Sequence, residues 1–334
     1  MQPVRIGLIG ASRVALHAAT GAAAHVGNVE VIAVASRDFG RALAFAKEQR
    51  IERAYGDYTA LLNDPDVDLV YIGTPPSHHA EQALAAITAG KSVLVEKPFS
   101  LTAADAVRVR DAAAASGVRV FEAMHSPHHR LFQRISELVS QGELGHLKSI
   151  DALFEAPIDR GDAIRWSPEL GGGALMDLGV YPLAFVRRIA GEDFEVKSAE
   201  AEFMGGVDAR FEAVLAYDNG LECRIAASMI AQAPAARLRI EGEDGWIEAI
   251  NPVLPQLGHR LTLCVGGQQK DEQVGGPSSF EAQLAAVAAT LSDGASFPVP
   301  EDDFVASMVA IERLRASFGQ ASPAGAADHN EKAI

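Results

Sequence analysis

The sequence predicts an α/β protein in two parts: an N-terminal doubly wound parallel sheet, then a C-terminal α+β domain built on a large, mostly antiparallel open sheet. Three observations carry this. Short Val/Ile/Leu-rich strands alternate with helical stretches over roughly the first 123 residues, the rhythm of a parallel sheet covered on both faces. After that the strand candidates lengthen, alternate apolar with polar residues, and are joined by turns. Finally, 334 residues suffice for two domains of ordinary size, and 48% of them are apolar.

Taken in order, Val4 to Ile9 reads as a strand, Ala15 to Ala24 as a helix, Val29 to Ala35 as a strand and Gly40 to Gln49 as a helix. "DLVYIGTPP" (68–76) is a strand entering a turn, "HHAEQALAAITAG" a helix closed by Gly90, and "SVLVEKP" a strand stopped by proline. Thr102 with Asp105 three places on caps the next helix, and "VRVFEAM" is one more strand. Right-handed crossovers make this half doubly wound. A helix follows from about Leu131 to Gln141. Then come "LKSIDALFEA", "VKSAEAEFM", "RFEAVLAY", "LECRIAASMI", "ARLRIEGEDGWIEA" and "RLTLCVGG", with turns at "DNG" (218–220) and "EDG" (243–245). Helices return at "SSFEAQLAAVAATLSDG" and "FVASMVAIERLRASFG". The expected division is 1–123, 124–318 and a mobile tail over 319–334.

A net charge of -15 argues against nucleic acid, which demands a basic face. Cys223 and Cys264 lie in strand-like surroundings and read as buried thiols of a reducing compartment. No signal peptide precedes the first strand, and no apolar run reaches the roughly 20 residues that span a bilayer, so no membrane partner and a cytoplasmic location are expected.

"RIGLIGASRVA" (5–15) is a strand–turn–helix entry of the dinucleotide-binding, or Rossmann, kind with one departure. Gly10 makes the tight turn and Ala15 packs helix on strand, but Ser12 stands where the middle glycine allows close approach to a pyrophosphate. A hydroxymethyl group intrudes little, and its hydroxyl can donate to phosphate. After the second strand, an acidic residue would accept both ribose hydroxyls and select NAD. Ser36 and Arg37 stand there instead: serine leaves room for a 2'-phosphate and arginine can bind it bidentately, with Arg13 and Arg41 adding charge. NADP is therefore the expected cofactor. NAD is the alternative, with Arg37 a plain surface residue or Asp38 shifted onto the ribose.

Oxidising an alcohol requires a hydride acceptor, a proton acceptor and positive charge near the developing alkoxide. Lys97 ends a strand at the carboxyl edge of the parallel sheet, where open α/β sheets place ligands. Asp177 and Tyr181 are four apart, on one face of a helix, after the glycine run 171–173 and just before Pro182. An ammonium near the phenol would lower its pKa from about 10 towards working pH. The plainer alternatives are a solvated loop lysine and a tyrosine packed at a domain junction. Arg165 and Trp166, just before the glycine run, are candidates to line a substrate site, Trp166 equally for domain packing. "HSPHHR" (125–130) has the look of a metal cluster, but no H-E-x-x-H and no Cys-rich spacing supports one, and no metal is expected.

"GTPPSHHAE" (73–81), "VLVEKPFSLTAADA" (93–106) and "ELGGGALMDLGVYPL" (169–183), in that order after the glycine turn, resemble the Gfo/Idh/MocA family of nicotinamide-dependent oxidoreductases over about residues 4–318. The branch implied is that of glucose–fructose oxidoreductase, dihydrodiol dehydrogenase and NADP-dependent D-xylose dehydrogenase. The resemblance implies that Lys97 lies by the nicotinamide and the reacting oxygen, that Tyr181 is the acid/base, and that Asp177 helps hold the substrate. It places Val14, Thr74, Pro75, His78 and Glu96 among the cofactor contacts and His125 in the substrate site; a local hydrogen bond at the helix start is the other reading of His78. Glu122, Ala123 and His129 fit the branch motif E-A-F-x-Y-R-x-H-P, while Pro127 and Arg130 depart from it. The activity implied is hydride transfer to or from a sugar or related cyclic polyol, in a homodimer or homotetramer formed through the open sheet. A dihydrodiol-type dehydrogenase and a non-catalytic cofactor-binding regulator are the alternatives.

Overall fold

The computed structural model describes residues 2–300 and 302–319. The expected tail, apart from Gly319, lies outside the described residues. Six strands, β1 (Val4–Ile9), β2 (Val29–Ala35), β3 (Arg53–Tyr55), β4 (Leu69–Ile72), β5 (Ser92–Glu96) and β6 (Val120–Ala123), form an all-parallel sheet in the order β3-β2-β1-β4-β5-β6. The reversal of strand order beside β1 opens a crevice at the strands' carboxyl ends. The connecting helices are α1 (Arg13–Ala15), α2 (Phe39–Gln49), α3 (Tyr58–Leu62), α4 (His79–Thr88) and α5 (Ala103–Ser116). Thr102 caps α5, accepting from Asp105 N at 3.1 Å. α1 widens at once into a π-helical stretch, Leu16–Gly21. The helical segment expected from Ala15 therefore starts two residues earlier, because Ser12 caps it, accepting from Ala15 N at 3.4 Å.

After α6 (Arg130–Ser140), eight strands form the second sheet in the order β14-β13-β12-β11-β7-β10-β9-β8. They are β7 (Leu147–Glu155), β8 (Phe194–Met204), β9 (Val207–Tyr217), β10 (Glu222–Ser228), β11 (Ala235–Gly242), β12 (Gly245–Ile250), β13 (Arg260–Val265) and β14 (Gln268–Glu272). Every pairing is antiparallel except β7 with β10. Alternation decides its faces: Phe211, Ala213, Leu215, Cys223, Ile225, Leu238 and Ile240 are buried under α7 (Val180–Ala190) and its surroundings. The opposite face carries a lattice of charge, with Asp151 bridging Arg224 and Arg237 and Glu212 on Arg224. Cys223 is buried as expected, but Cys264 is only half-buried near the sheet's edge; both are free thiols.

Two helices late in the chain tie the halves together. α8 (Ser279–Asp293), with a Ser278–Glu281 capping box, puts Leu284, Val287 and Ala288 onto the first sheet beside Leu8, Leu94 and Phe121. α9 (Asp303–Ser317) lies on α5 and stacks Phe304 on Phe99 at 4.0 Å. On the other face of the parallel sheet, one apolar core runs from Ile9, Ile72 and Val95 through Leu131 and Tyr181 into the second sheet. Among the described residues, no helix is long and apolar enough to cross a membrane.

Candidate active site

At the crevice beside β1 lies a cleft of about 530 Å³. Its floor is the first turn. Gly10 has φ +99°, and a Cβ there would meet Gly73 O at 3.1 Å, so this is a close backbone crossing only glycine makes without strain. Ser12 lines the cleft with its oxygen committed as acceptor to Ala15 N, leaving the hydroxyl hydrogen to donate. Ser36, Arg37, Arg41, Thr74, Pro75 and His78 line it too, as the sequence led one to expect. Arg41 also donates to Ala11 O at 3.3 Å, pinning the glycine turn. Asp38 borders the cleft, but its carboxylate caps α2 by accepting from Arg41 N at 3.2 Å. A backbone cradle at a helix start beside the guanidinium heads of Arg37 and Arg41 suits a dinucleotide with phosphates.

Four expected cofactor residues do not line this cleft. Arg13 is exposed on the helix, Val14 is half-buried against the core, and Lys97 faces the second domain. Glu96 is buried, where Tyr71 Oη donates to it at 2.7 Å, and burial pushes its carboxyl up to about 7. Tyr58, Gln82 and Ile164 line the cleft without any sequence motif to announce them. Gln82 accepts from Thr74 at 2.6 Å, and Ile164 reaches over from the second half of the chain. His79, beside His78, is buried between the two loops, its ring nitrogens 2.9 Å from Pro98 O and 2.8 Å from Thr74 O.

One strand over from the cleft, the other candidates converge. β5 ends at Glu96, and the cis Lys97–Pro98 peptide follows. Lys97 Nζ donates to Asp177 twice, to the carbonyl at 2.7 Å and to the carboxylate at 3.0 Å, and lies 5.2 Å from the centre of the Tyr181 ring. Asp177 sits in a π-helical turn, Leu175–Gly179, that leads into α7, and Tyr181 follows in the first turn of that helix. Such turns recur at functional sites because they re-aim side chains within a helix. Asp208 holds the turn's start, accepting from Leu175 N at 2.6 Å.

Burial pushes the Asp177 carboxyl up, but Lys97 and Arg165 outweigh it and hold the group below the ordinary carboxylate range. Burial pulls Lys97 down, and Asp177, Tyr181 and Glu96 together lift it above the usual lysine value. Tyr181 does not follow expectation. Burial raises its phenol to about 12, and Lys97 offsets only part of that while Glu96 and Asp177 add to it. The ammonium's field is spent largely on Asp177, so proximity alone does not bring the phenol to neutral pH.

Arg165 meets Asp177 at 2.6 Å and Asp162 at 2.7 Å, half-exposed over the site. Trp166 is engaged within its own loop: its indole donates to Asp159 O at 2.9 Å, and Arg160 covers its ring at 3.8 Å. The histidines of "HSPHHR" diverge. His125 approaches Tyr181 Oη at 3.2 Å, His128 is buried near Arg188, and His129 caps α6 by accepting from Leu131 N. Among the described residues, no three His, Cys, Asp or Glu side chains gather as metal ligands would.

A parallel sheet with a phosphate-ready crevice, joined to a second sheet through a buried Lys–Asp–Tyr cluster, defines a nicotinamide-dependent oxidoreductase. Residues 4–124 match the family model of the GFO/IDH/MocA oxidoreductases with an NAD-binding Rossmann fold, and residues 132–248 match the GFO/IDH/MocA C-terminal domain. The chain belongs to the Gfo/Idh/MocA family. It is 34% identical to D-xylose 1-dehydrogenase (NADP(+)) 2 of Haloferax volcanii, over 85% of this chain and 88% of that one. It is 31% identical to dTDP-3,4-didehydro-2,6-dideoxy-alpha-D-glucose 3-reductase of Saccharopolyspora spinosa, over 100% and 94%. A 3-ketoreductase from Actinomadura kijaniata, solved with NADP and TDP-benzene, superposes with a TM-score of 0.87 at 26% identity, covering 95% of this chain and 98% of that one.

Proposed function

We propose that the protein is an NADP(H)-dependent dehydrogenase or reductase of a sugar or related cyclic polyol, with Tyr181 as acid/base assisted by Lys97. The observation that carries this is the buried Lys97–Asp177–Tyr181 cluster beside the crevice. Ser36, Arg37 and Arg41 would hold a 2'-phosphate, with Asp38 withdrawn as a cap, and Ser12 and the first turn would hold the pyrophosphate. Nicotinamide supplies the hydride acceptor or donor. Lys97 presents charge to the oxygen that becomes an alkoxide, and Tyr181 moves that oxygen's proton. Asp177 and Arg165 border the space a hydroxylated substrate would occupy, and His125 backs Tyr181 from the buried side. The names of the relatives, a xylose dehydrogenase and a 3-reductase of a dTDP-linked dideoxyglucose, support the substrate class. The division near residue 123 and pairing of two or four copies through the charged open sheet belong to the same reading.

The test is a screen of aldoses, inositols and dihydrodiols with NADP+ and NAD+, following nicotinamide reduction. We expect turnover of a sugar or cyclic polyol with NADP+, and Arg37→Ala to lose the NADP preference mainly through KM. A wild type preferring NAD+, or an unchanged ratio in the variant, overturns the cofactor assignment; turnover of diols alone overturns the substrate class. Cofactor binding with no turnover would mark a regulator.

A further inference from the structure

Tyr181 is one end of a buried hydrogen-bonded chain whose direction can be deduced. At the far end, the backbone N–H of Ser279 can only donate, and it points at Gln256 Oε1 at 3.4 Å. The same Oε1 is 3.0 Å from Ser279 Oγ, so the serine hydroxyl donates to it as well. That leaves the lone pairs of Ser279 Oγ facing His125 Nδ1 at 2.9 Å, and Nδ1 must carry the hydrogen. A neutral imidazole protonated at Nδ1 has a bare Nε2, which is 3.2 Å from Tyr181 Oη. The tyrosine hydroxyl therefore donates to His125, and its lone pairs are what remain for the substrate. His125 is almost wholly buried, wedged by Phe280 with ring centres 4.0 Å apart, so this order is built into the core.

We propose that His125 is a positioning residue for the reaction: fixed by Ser279 in its Nδ1–H form, it holds the Tyr181 proton on Nε2 and takes it when Tyr181 accepts the proton of the substrate alcohol. This rests on the reading of Tyr181 as acid/base. In the oxidation direction, the C–H bond breaks and its electron pair reduces the oxidised nicotinamide named above. The alcohol O–H breaks and a new O–H forms on Tyr181, while the old Tyr181 O–H breaks and an N–H forms on His125. Tyr181 ends unchanged, the alcohol has become a carbonyl, and His125 holds one proton more. Reduction runs the transfers backwards. The chain ends at Gln256, whose amide relays no proton, so after the carbonyl product leaves His125 returns its proton to Tyr181, and Tyr181 releases the one it took from the alcohol to the vacated substrate space.

The electrostatics favour a concerted transfer over a resting phenolate. Burial keeps the Tyr181 phenol near about 12, and burial, with Lys97 and His128 adding to it, keeps His125 near about 3. Neither ion is populated at rest, and a proton placed on His125 is readily given back. The charged and titratable groups facing the pair are Lys97, Asp177, Glu96, Arg165 and Tyr71 around Tyr181, and Lys97 and His128 around His125.

The experiment has two readouts. Nitrogen-15 NMR of the full-length protein labelled in histidine, with no ligand added, should show His125 protonated at Nδ1 and bare at Nε2; the opposite tautomer overturns the proposal. Single-turnover rates are then measured in mixtures of light and heavy water, with D-xylose or whichever alcohol the screen selects. Glutamine can accept the tyrosine's hydrogen bond but cannot carry its proton, whereas leucine does neither. We expect His125→Gln and His125→Leu both to slow the step by roughly 10²-fold, with KM changed by less than about 3-fold. The dependence on heavy water should be curved in the wild type, as two protons in flight require, and straight in His125→Gln. A His125→Gln enzyme with wild-type rate and curvature, beside an inactive Tyr181→Phe, refutes the relay alone. A Tyr181→Phe enzyme with wild-type rate refutes the reading of Tyr181 on which the relay rests.

Discussion

At the scale of single residues, Lys97 has the most to do. It neutralises Asp177, grips the π-turn by a backbone carbonyl, and faces the Tyr181 ring. Lys97→Ala should lower kcat by roughly 10²-fold or more, the scale for losing charge at a reacting oxygen, while NADP+ affinity, measured by fluorescence titration, stays within a few-fold. A variant with near-normal kcat would show that Arg165 or solvent supplies the charge instead. The convergence of Lys97, Asp177 and Tyr181 was legible because Lys97 ends a strand at the sheet's carboxyl edge and the other two are four apart in one helical motif that the family resemblance marks. His125 was expected at the substrate site through the family resemblance, and the structure puts it beside Tyr181; its partners Ser279 and Gln256 were not legible, being brought to it by a helix and a turn more than a hundred residues away. Tyr58 and Ile164 were invisible for the same reason, being set on the cleft by tertiary packing with no local signature.

At the scale of elements, the π-turn depends on the glycine run before it. Gly173 has φ +117°, and a Cβ there would meet Asp208 Oδ1 at 2.1 Å. Asp208 is the residue whose other oxygen holds the turn through Leu175 N. Gly173→Ala therefore adds backbone strain to a clash with the turn's own anchor, at about 2–4 kcal/mol of stability. It should also lower kcat, because Asp177 and Tyr181 ride on the displaced segment. Chemical denaturation and kinetics check this, and a variant with wild-type stability would mean that Asp208 swings aside freely. The continuous apolar strands of the first sheet and the alternating strands of the second could be read from the sequence because burial of both faces or of one writes itself into the pattern. β14, "QQKDE", could not, since an exposed edge strand has no apolar face to declare. β3 is only three half-buried residues, too short for any period, and the π-helical stretches look like ordinary helix in composition.

At the scale of the whole molecule, the sequence separated what the fold joins: α8 follows the second sheet in the chain but packs on the first, while on that sheet's other face one core runs past Tyr181 into the second sheet. That core has buried many titratable groups, and they set how stability varies with pH. Burial lowers His79 to about 4, His125 to about 3, His128 to about 3 and His129 to about 4. Between those values and about 6.5, the unfolded chain binds protons that the folded chain refuses, so these groups make stability rise with pH. Burial raises Asp208 to about 6, Glu96 to about 7 and Glu122 to about 8. From about pH 4 up to those values the folded chain keeps protons the unfolded chain has lost, so these groups make stability fall as pH rises. The two sets oppose each other below about pH 6. Above about pH 6.5 the histidines add nothing further, and Glu96 and Glu122 still subtract. Stability should therefore peak near about pH 6–6.5 and decline towards about pH 8 by on the order of 2–3 kcal/mol, at about 1.4 kcal/mol per unit per group. Glu122→Gln removes the longer of the two declines and keeps an oxygen for Phe99 N, which donates to Glu122 at 3.1 Å. Calorimetric melting of both proteins across this range should show the wild-type Tm falling above the peak and the variant's fall at least halved. A wild-type Tm still rising at pH 8, or two parallel curves, would mean that Glu122 ionises freely in the fold, with Arg187 and Arg188 compensating its burial.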